Sequence, residues 1–155
     1  MKIAIQTQVR ENYGSADQPY WKCKGGSTFI VPDLTPVQAA KVQEQGIPTL
    51  TALIESSNDM FEEYVVGFSV VDNDAVVCDP WETPYELRWI GNRWVANRTV
   101  DNGEYGYMNS KVERKTEEYD MEMGGGIANY RVVYTMRNGD VITGDQVAEY
   151  FKQAA

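Results

Sequence analysis

The chain has 155 residues, 14 basic and 23 acidic side chains, no histidine and a net charge of −9. This length predicts one domain over 1–155 that can bury a core without staples. Lack of imidazole excludes Ser-His-Asp and Cys-His catalysis and histidine metal sites, and the negative charge argues against direct nucleic-acid binding, which basic groups drive.

MKIAIQTQVRENYG alternates apolar and polar residues, which predicts a strand over 1–9 with Ile3, Ile5 and Val9 on one side. It has no apolar run of a secretory signal, and no segment has the 18 or so apolar residues of a membrane span, so cytoplasmic residence is expected. A polar loop over 10–19 follows. In YWKCKGGSTFIV, Gly25-Gly26 between two alternating runs predicts a hairpin with Trp21 opposite Ile30 and Cys23 opposite Thr28. Cys23 and Cys78 are expected to be thiols packed as small hydrophobes.

Thr35-Pro36 starts a helix, with Val37, Ala40 and Val42 as its apolar face and Gly46 as its stop. Thr49 caps a second short helix carrying Leu50, Leu53 and Ile54, closed by the polar run over 56–59. Phe61–Val71 is apolar on both sides and reads as a central strand. Asn73-Asp74 turns the chain into a return strand over 75–78, ended by Asp79-Pro80. YELRWIGNRWVANRTV predicts a hairpin about Gly91-Asn92 in a type II′ turn, setting Trp89 opposite Trp94, Leu87 opposite Ala96 and Tyr85 opposite Arg98.

A loop is expected over 101–109. Residues 110–123 carry two signals: Ser110 and Glu113 form a capping box, yet Tyr119, Met121 and Met123 alternate with acids as in a strand. Gly124–Gly126 is a break. Tyr130–Thr143 predicts a hairpin with a type I′ turn at Asn138-Gly139, and Asp145 caps a terminal helix with Val147, Tyr150 and Phe151. The hairpins imply antiparallel neighbours. The expected fold is therefore α+β: a curved antiparallel sheet built from hairpins, with two or three short helices grouped on one face.

No motif supplies a cofactor site. Gly25-Gly26 opens a strand, and Gly124–Gly126 lacks the Lys-Ser/Thr of a phosphate loop. Asp72-Asn73-Asp74 starts like a calcium loop, but Val76 and Val77 stand where a ligand and the glycine should be, so a polar turn is the better reading. Trp89 and Trp94 with Arg88, Arg93 and Arg98 have two readings. They form a stacking platform for single-stranded nucleic acid, or a cross-strand aromatic pair facing the core with Arg88 and Arg93 on the other face.

The charge map is lopsided. Between Val42 and Leu87 stand ten carboxylates and no Lys or Arg, while the rest of the chain has 14 basic and 13 acidic residues. Like charges within one or two Debye lengths, about 8 Å each, share a field that steers basic partners. Ten carboxylates match only about five base pairs of duplex charge, so DNA mimicry would need a homodimer or a flanking aromatic anchor. The candidate partner-binding residues are Glu62, Glu63, Tyr64, Asp72, Asp74, Asp79, Trp81, Glu82, Tyr85 and Glu86. A second expectation is a small-ligand or divalent-metal pocket lined by carboxylates near Asp79–Glu86.

The stretches MKIAIQTQVRENYG, QPYWKCKGGSTFIVPDLTPVQ and DPWETPYELRWI resemble a group of small acidic proteins of tailed bacteriophages. The resemblance implies a phage product in the bacterial host cytoplasm, where such proteins inhibit host defence or transcription proteins. It brings no functional residues. Together these readings predict a non-enzymatic binding protein that needs no cofactor or metal, an inhibitor or counter-defence protein. It would engage a basic host protein, one that handles nucleic acid, through 42–87.

Overall fold

Strand β1 (Lys2–Asn12) is the hub of the sheet, with Ile3 and Ile5 buried on one face and Ala4 on the other. The computed structural model describes residues 1–100 and 111–153. The loop expected over 101–109 and Ser110 of the capping box lie outside them. Nine further strands are β2 (Trp21–Cys23), β3 (Thr28–Val31), β4 (Ser56–Ser57), β5 (Phe61–Val71), β6 (Tyr85–Ile90), β7 (Arg93–Val100), β8 (Val112–Glu122), β9 (Gly126–Met136) and β10 (Val141–Thr143). Three α-helices among the described residues, α1 (Pro36–Gln45), α2 (Pro48–Ile54) and α3 (Val147–Gln153), complete the α+β fold. The strands form one sheet in the order β10-β9-β8-β7-β6-β3-β1-β5-β4, with β2 also on β1.

The expected hairpin about Gly25-Gly26 does not form. Both β2 and β3 pair antiparallel with β1, as two halves of one strand. Four steps along β1, from Gln6 to Arg10, match five along its partner, from Thr28 to Cys23, so the glycines sit in a bulge. The reason is steric: a Cβ on Gly26 would lie 1.9 Å from the Thr7 carbonyl oxygen, an approach only glycine permits. The hairpin loop lies earlier, over 13–20. Buried Asn12 organises it, its Oδ1 accepting from the N–H groups of Gly14 at 2.8 Å and Tyr20 at 2.9 Å.

One sheet neighbour breaks the antiparallel expectation. Strands β3 and β6 are parallel, pairing Phe29 with Tyr85 and Ile30 with Glu86. Strand β5 runs the same way as both, so the chain must return along the sheet before β6 can start. The segment 72–84 makes that return across the face of β1 opposite α1 and α2, which is why the return strand predicted over 75–78 is absent. Nor is β5 central. Beyond it lies only the two-residue β4, and Val66 and Phe68 are exposed.

The opposite face holds the cores. Ile3, Ile5, Phe29, Leu87 and Ala96 pack against Ile47, Leu50, Leu53 and Ile54 from the α1–α2 link and α2, while Val112, Tyr134 and Met136 pack against Val147 of α3. The sheet register places Tyr134, across from Lys115, on the same side as Arg98 and Ala96, so all three helices share one face. The sheet also rolls around them. Strands β8 and β4 are six spacings apart, about 29 Å if flat. Yet a Cβ on Gly125, in the β8–β9 turn, would lie 2.6 Å from the Cβ of Ser56 in β4. Gly124 and Gly125 donate N–H bonds to Ala52 and Leu53, carbonyls that the end of α2 leaves without helical partners.

Local details differ from expectation for identifiable reasons. Thr35 and Gln38 form a capping box on α1, but its inward residues are Ala39 and Val42, while Val37 and Ala40 face solvent. Helix α2 starts at Pro48 behind Ile47 rather than at Thr49, because proline takes the first helical position. Gly91 and Asn92 both have positive φ, 57° and 66°, a type I′ turn in place of II′. At Asn138-Gly139 only the glycine has positive φ, 95°, and its N–H bonds to Met136, giving a type I turn followed by a left-handed glycine. Residues 112–122 are strand, since their alternation matches the pleat. Thr143, not Asp145, caps the terminal turn, with Gln146 completing a capping box.

Replacing Gly26 with Ala is expected to cost about 2 kcal/mol or more, because backbone must move. A Cβ on Gly25 meets nothing within 4 Å. Gly25→Ala should therefore cost only the strain of a positive φ, about 1 kcal/mol. Urea unfolding of the two variants checks the order.

Candidate functional site

The acidic candidates fall into two groups, Glu62 and Glu63 near the start of β5 and the rest on or just after the return segment that leaves its end. The register sets Glu62 beside Arg10 and Val71 beside Lys2, eight residues apart on β1, or about 26 Å. At the Arg10 end the carboxylates are engaged. Glu62 forms an ion pair with Arg10, and Glu63 accepts from Thr7 Oγ1 at 2.7 Å. The Tyr64 hydroxyl donates to Gln8, and its ring lies 5.9 Å from the Arg10 guanidinium.

The other group lies on the return segment 72–84. Polar side chains of the sheet hold its backbone and one of its acids. The buried Lys2 ammonium donates to the carbonyls of Asn73 at 2.9 Å and Ala75 at 2.7 Å. Gln6 Nε2 donates to Val77 at 2.9 Å, and Thr28 Oγ1 donates to Glu82 Oε1 at 2.8 Å. With its backbone fastened inward, the segment turns other side chains out. Asp72, Asp74 and Asp79 are exposed and make no ion pair among the described residues. Beside them Val76 is 90% and Trp81 82% exposed.

Carboxylates near Asp79–Glu86 do not converge as a metal or ligand pocket would require. Glu82 is taken by Thr28, Glu86 is paired with Arg88, and no group of three or more carboxylates or thiols that could hold a metal ion occurs among the described residues. Tyr85 stacks on Phe29 at 5.2 Å and packs against the edge of the core. Both cysteines are free thiols. Cys78 is half-buried, where burial and then the charges of Glu82 and Asp79 push its thiol up, but Cys23 is exposed, contrary to expectation.

Trp89 and Trp94 meet edge to face at 5.7 Å, in the predicted register. They lie on the helix-covered face, yet Trp89 is 59% exposed. Arg88 and Arg93 point to the other face, where Arg88 pairs with Glu86 and Asp33 and Arg93 with Asp120. Among the described residues the tryptophans thus have no free guanidinium beside them, which disfavours a nucleic-acid platform.

Sequence reading missed a polar seam between the two cores. The Arg98 guanidinium lies 4.6 Å from the Tyr85 ring and pairs with Glu117, which also accepts from the Tyr130 hydroxyl at 2.7 Å. Burial pushes the Tyr85 and Tyr119 hydroxyls up. Burial also pushes the Glu117 carboxyl up, but hydrogen bonds from Tyr130 and Arg98 outweigh it and hold Glu117 below its ordinary 4.5. Arg98, Glu117 and Tyr130 are matched to one another and support the fold.

No family model, curated protein or solved structure matches the chain. No helix among the described residues is long and apolar enough to cross a membrane.

Two outcomes follow. Lys2→Met leaves the Asn73 and Ala75 carbonyls without their donor, and is expected to cost about 2 kcal/mol and to speed proteolysis within 72–84. A mass map of the first cleavage sites checks this. Because Glu117 is lowered in the folded state, its contribution is full above its ordinary pKa and lost as pH falls through the folded value. Glu117→Gln should therefore flatten the acid limb of stability against pH, measured as urea midpoints from about pH 6 down to about pH 3.

Proposed function

We propose that the chain is a non-enzymatic binding protein that docks a basic protein surface through the return segment 72–84. One observation carries this reading. The segment is clamped from beneath, and it exposes Val76, Trp81 and three carboxylates, Asp72, Asp74 and Asp79, that make no ion pair among the described residues. An aromatic anchor beside carboxylates is the composition of an interface centre with steering charge, and a held backbone lowers the ordering cost of docking. Glu62, Glu63, Glu82 and Glu86 are engaged within the chain, so they add to the field more than to direct contact.

The resemblance to small phage proteins extends the proposal. The partner would be a basic, nucleic-acid-handling protein of the bacterial host, met in the host cytoplasm and inhibited by occupation of its basic surface. Two copies of the chain would offer more of that charge than one. The pocket reading near Asp79–Glu86 is less favoured, because Glu82 and Glu86 line separate clefts.

Capture from bacterial lysate at low and high salt, followed by kinetics with the purified partner, tests the proposal. Asp72→Lys with Asp74→Lys should slow association by about tenfold and flatten its salt dependence, and Trp81→Ala should mainly raise dissociation. Unchanged kinetics in both variants would reduce the segment to a solvated surface.

A further inference from the structure

A second feature lies where β3 and β6 part. Their ladder holds only two residue pairs. Beyond Val31 the chain turns away through Pro32 into α1, while β6 continues to Ile90. The gap is a cleft of about 810 Å³ whose floor includes Ile3, Leu50 and Trp94, and Lys41 of α1 stands on its wall. That volume lies in the range of specific binding sites.

The lining shows which part of β6 the cleft meets. Leu87, Arg88, Trp89 and Ile90 all border it, although successive strand residues point to opposite faces. A cleft touching four consecutive residues runs along the edge of the strand. Pairing with β7 then says which groups are open. Ile90 and Arg93 flank the two-residue turn and exchange both ladder bonds, so by alternation Arg88 and Glu86 also face β7. The main-chain groups of Leu87 and Trp89 face the other way. Trp89 lies beyond the last residue paired with β3, so its N–H and C=O open into the cleft.

We propose that this cleft is a strand-addition site for an extended polypeptide segment of a partner protein. Its main chain would continue the sheet along Leu87–Ile90, about 13 Å of edge. An apolar side chain would seat against Leu50 and Trp94, and exposed Trp89 would close over it. An open ladder edge selects this ligand class, because only another backbone offers donors and acceptors at strand spacing. Lys41 makes no ion pair among the described residues and favours an acidic group at that end of the segment. The site is distinct from segment 72–84 and does not depend on what that segment binds.

The probe is a randomised ten-residue peptide display library selected on the full chain, followed by synthesis of the enriched sequences. Expected are peptides with alternating apolar residues whose binding slows exchange of the Trp89 amide hydrogen at least tenfold. Trp89→Ala and Lys41→Glu should each weaken them several-fold, and both replace exposed side chains. Methylating the peptide nitrogens that face β6 should weaken binding at least tenfold without changing the protein at all. Enrichment of nothing above a blank surface, binding indifferent to backbone methylation, or unchanged Trp89 exchange on saturation would each overturn the proposal. So would self-association of the chain that Trp89→Ala abolishes, since the cleft would then serve a second copy.

Discussion

The return of the chain across the outer face of β1 and β3 is the constraint on which the rest of the structure depends. Strands β5 and β6 run in the same direction on opposite sides of β1, so thirteen residues must travel back between them. Lys2, Gln6 and Thr28 hold that path at its start, middle and end. A buried ammonium bonded to two carbonyls is a costly arrangement unless the acceptors stay in place, so Lys2 and the segment order each other. The same path delivers β6 parallel to β3. The short ladder, the cleft beyond it and the outward display of Asp72, Asp74, Asp79 and Trp81 all follow from this one crossing.

Rolling of the sheet is the complementary constraint. By donating to the end of α2, Gly124 and Gly125 bring the β8–β9 turn to β4 and wrap the sheet over the helices. That curvature gives a small chain a core reached from both sheet ends, with Met121 of β8 packed in the same cluster as Ile54. It also crowds Arg98, Glu117, Tyr85 and Tyr130 together. Where two cores meet on one concave face, the polar groups between them must satisfy each other, and Arg98, Glu117 and Tyr130 do.

Local signals in the sequence predicted what local chemistry decides. The cap at Thr35, the stop at Gly46 and the Trp89–Trp94 register all depend on neighbours a few residues away. The failures that changed the topology came where a distant strand competed. Gly25-Gly26 satisfied every local rule for a hairpin, but β1 offered β2 and β3 more pairing than they could offer each other. Valine-rich 75–78 looked like a strand, yet its carbonyls were claimed by Lys2 and Gln6, more than 70 residues earlier. The charge asymmetry was legible as a number. Its division between the start of β5 and the return segment that follows β5 was not, because a strand separates in space what lies close in sequence.

That division reshapes the meaning of the acidic third. Carboxylates that find a partner are those whose strand neighbours were already placed: Glu62 by Arg10, Glu63 by Thr7 and Glu86 by Arg88. Asp72, Asp74 and Asp79, without an ion pair among the described residues, stand on the return segment 72–84, which pairs with no strand. Asp33 joins this segment to the cleft, since its carboxylate accepts from Asn73 Nδ2 at 3.2 Å and lies 3.8 Å from Arg88. The two proposed surfaces therefore adjoin at Asp33. A partner laying an extended segment along β6 would carry its adjoining surface toward Asp72 and Asp74. Charge there would govern the rate of encounter and strand pairing the lifetime, since long-range fields act before contact and desolvated hydrogen bonds act after it.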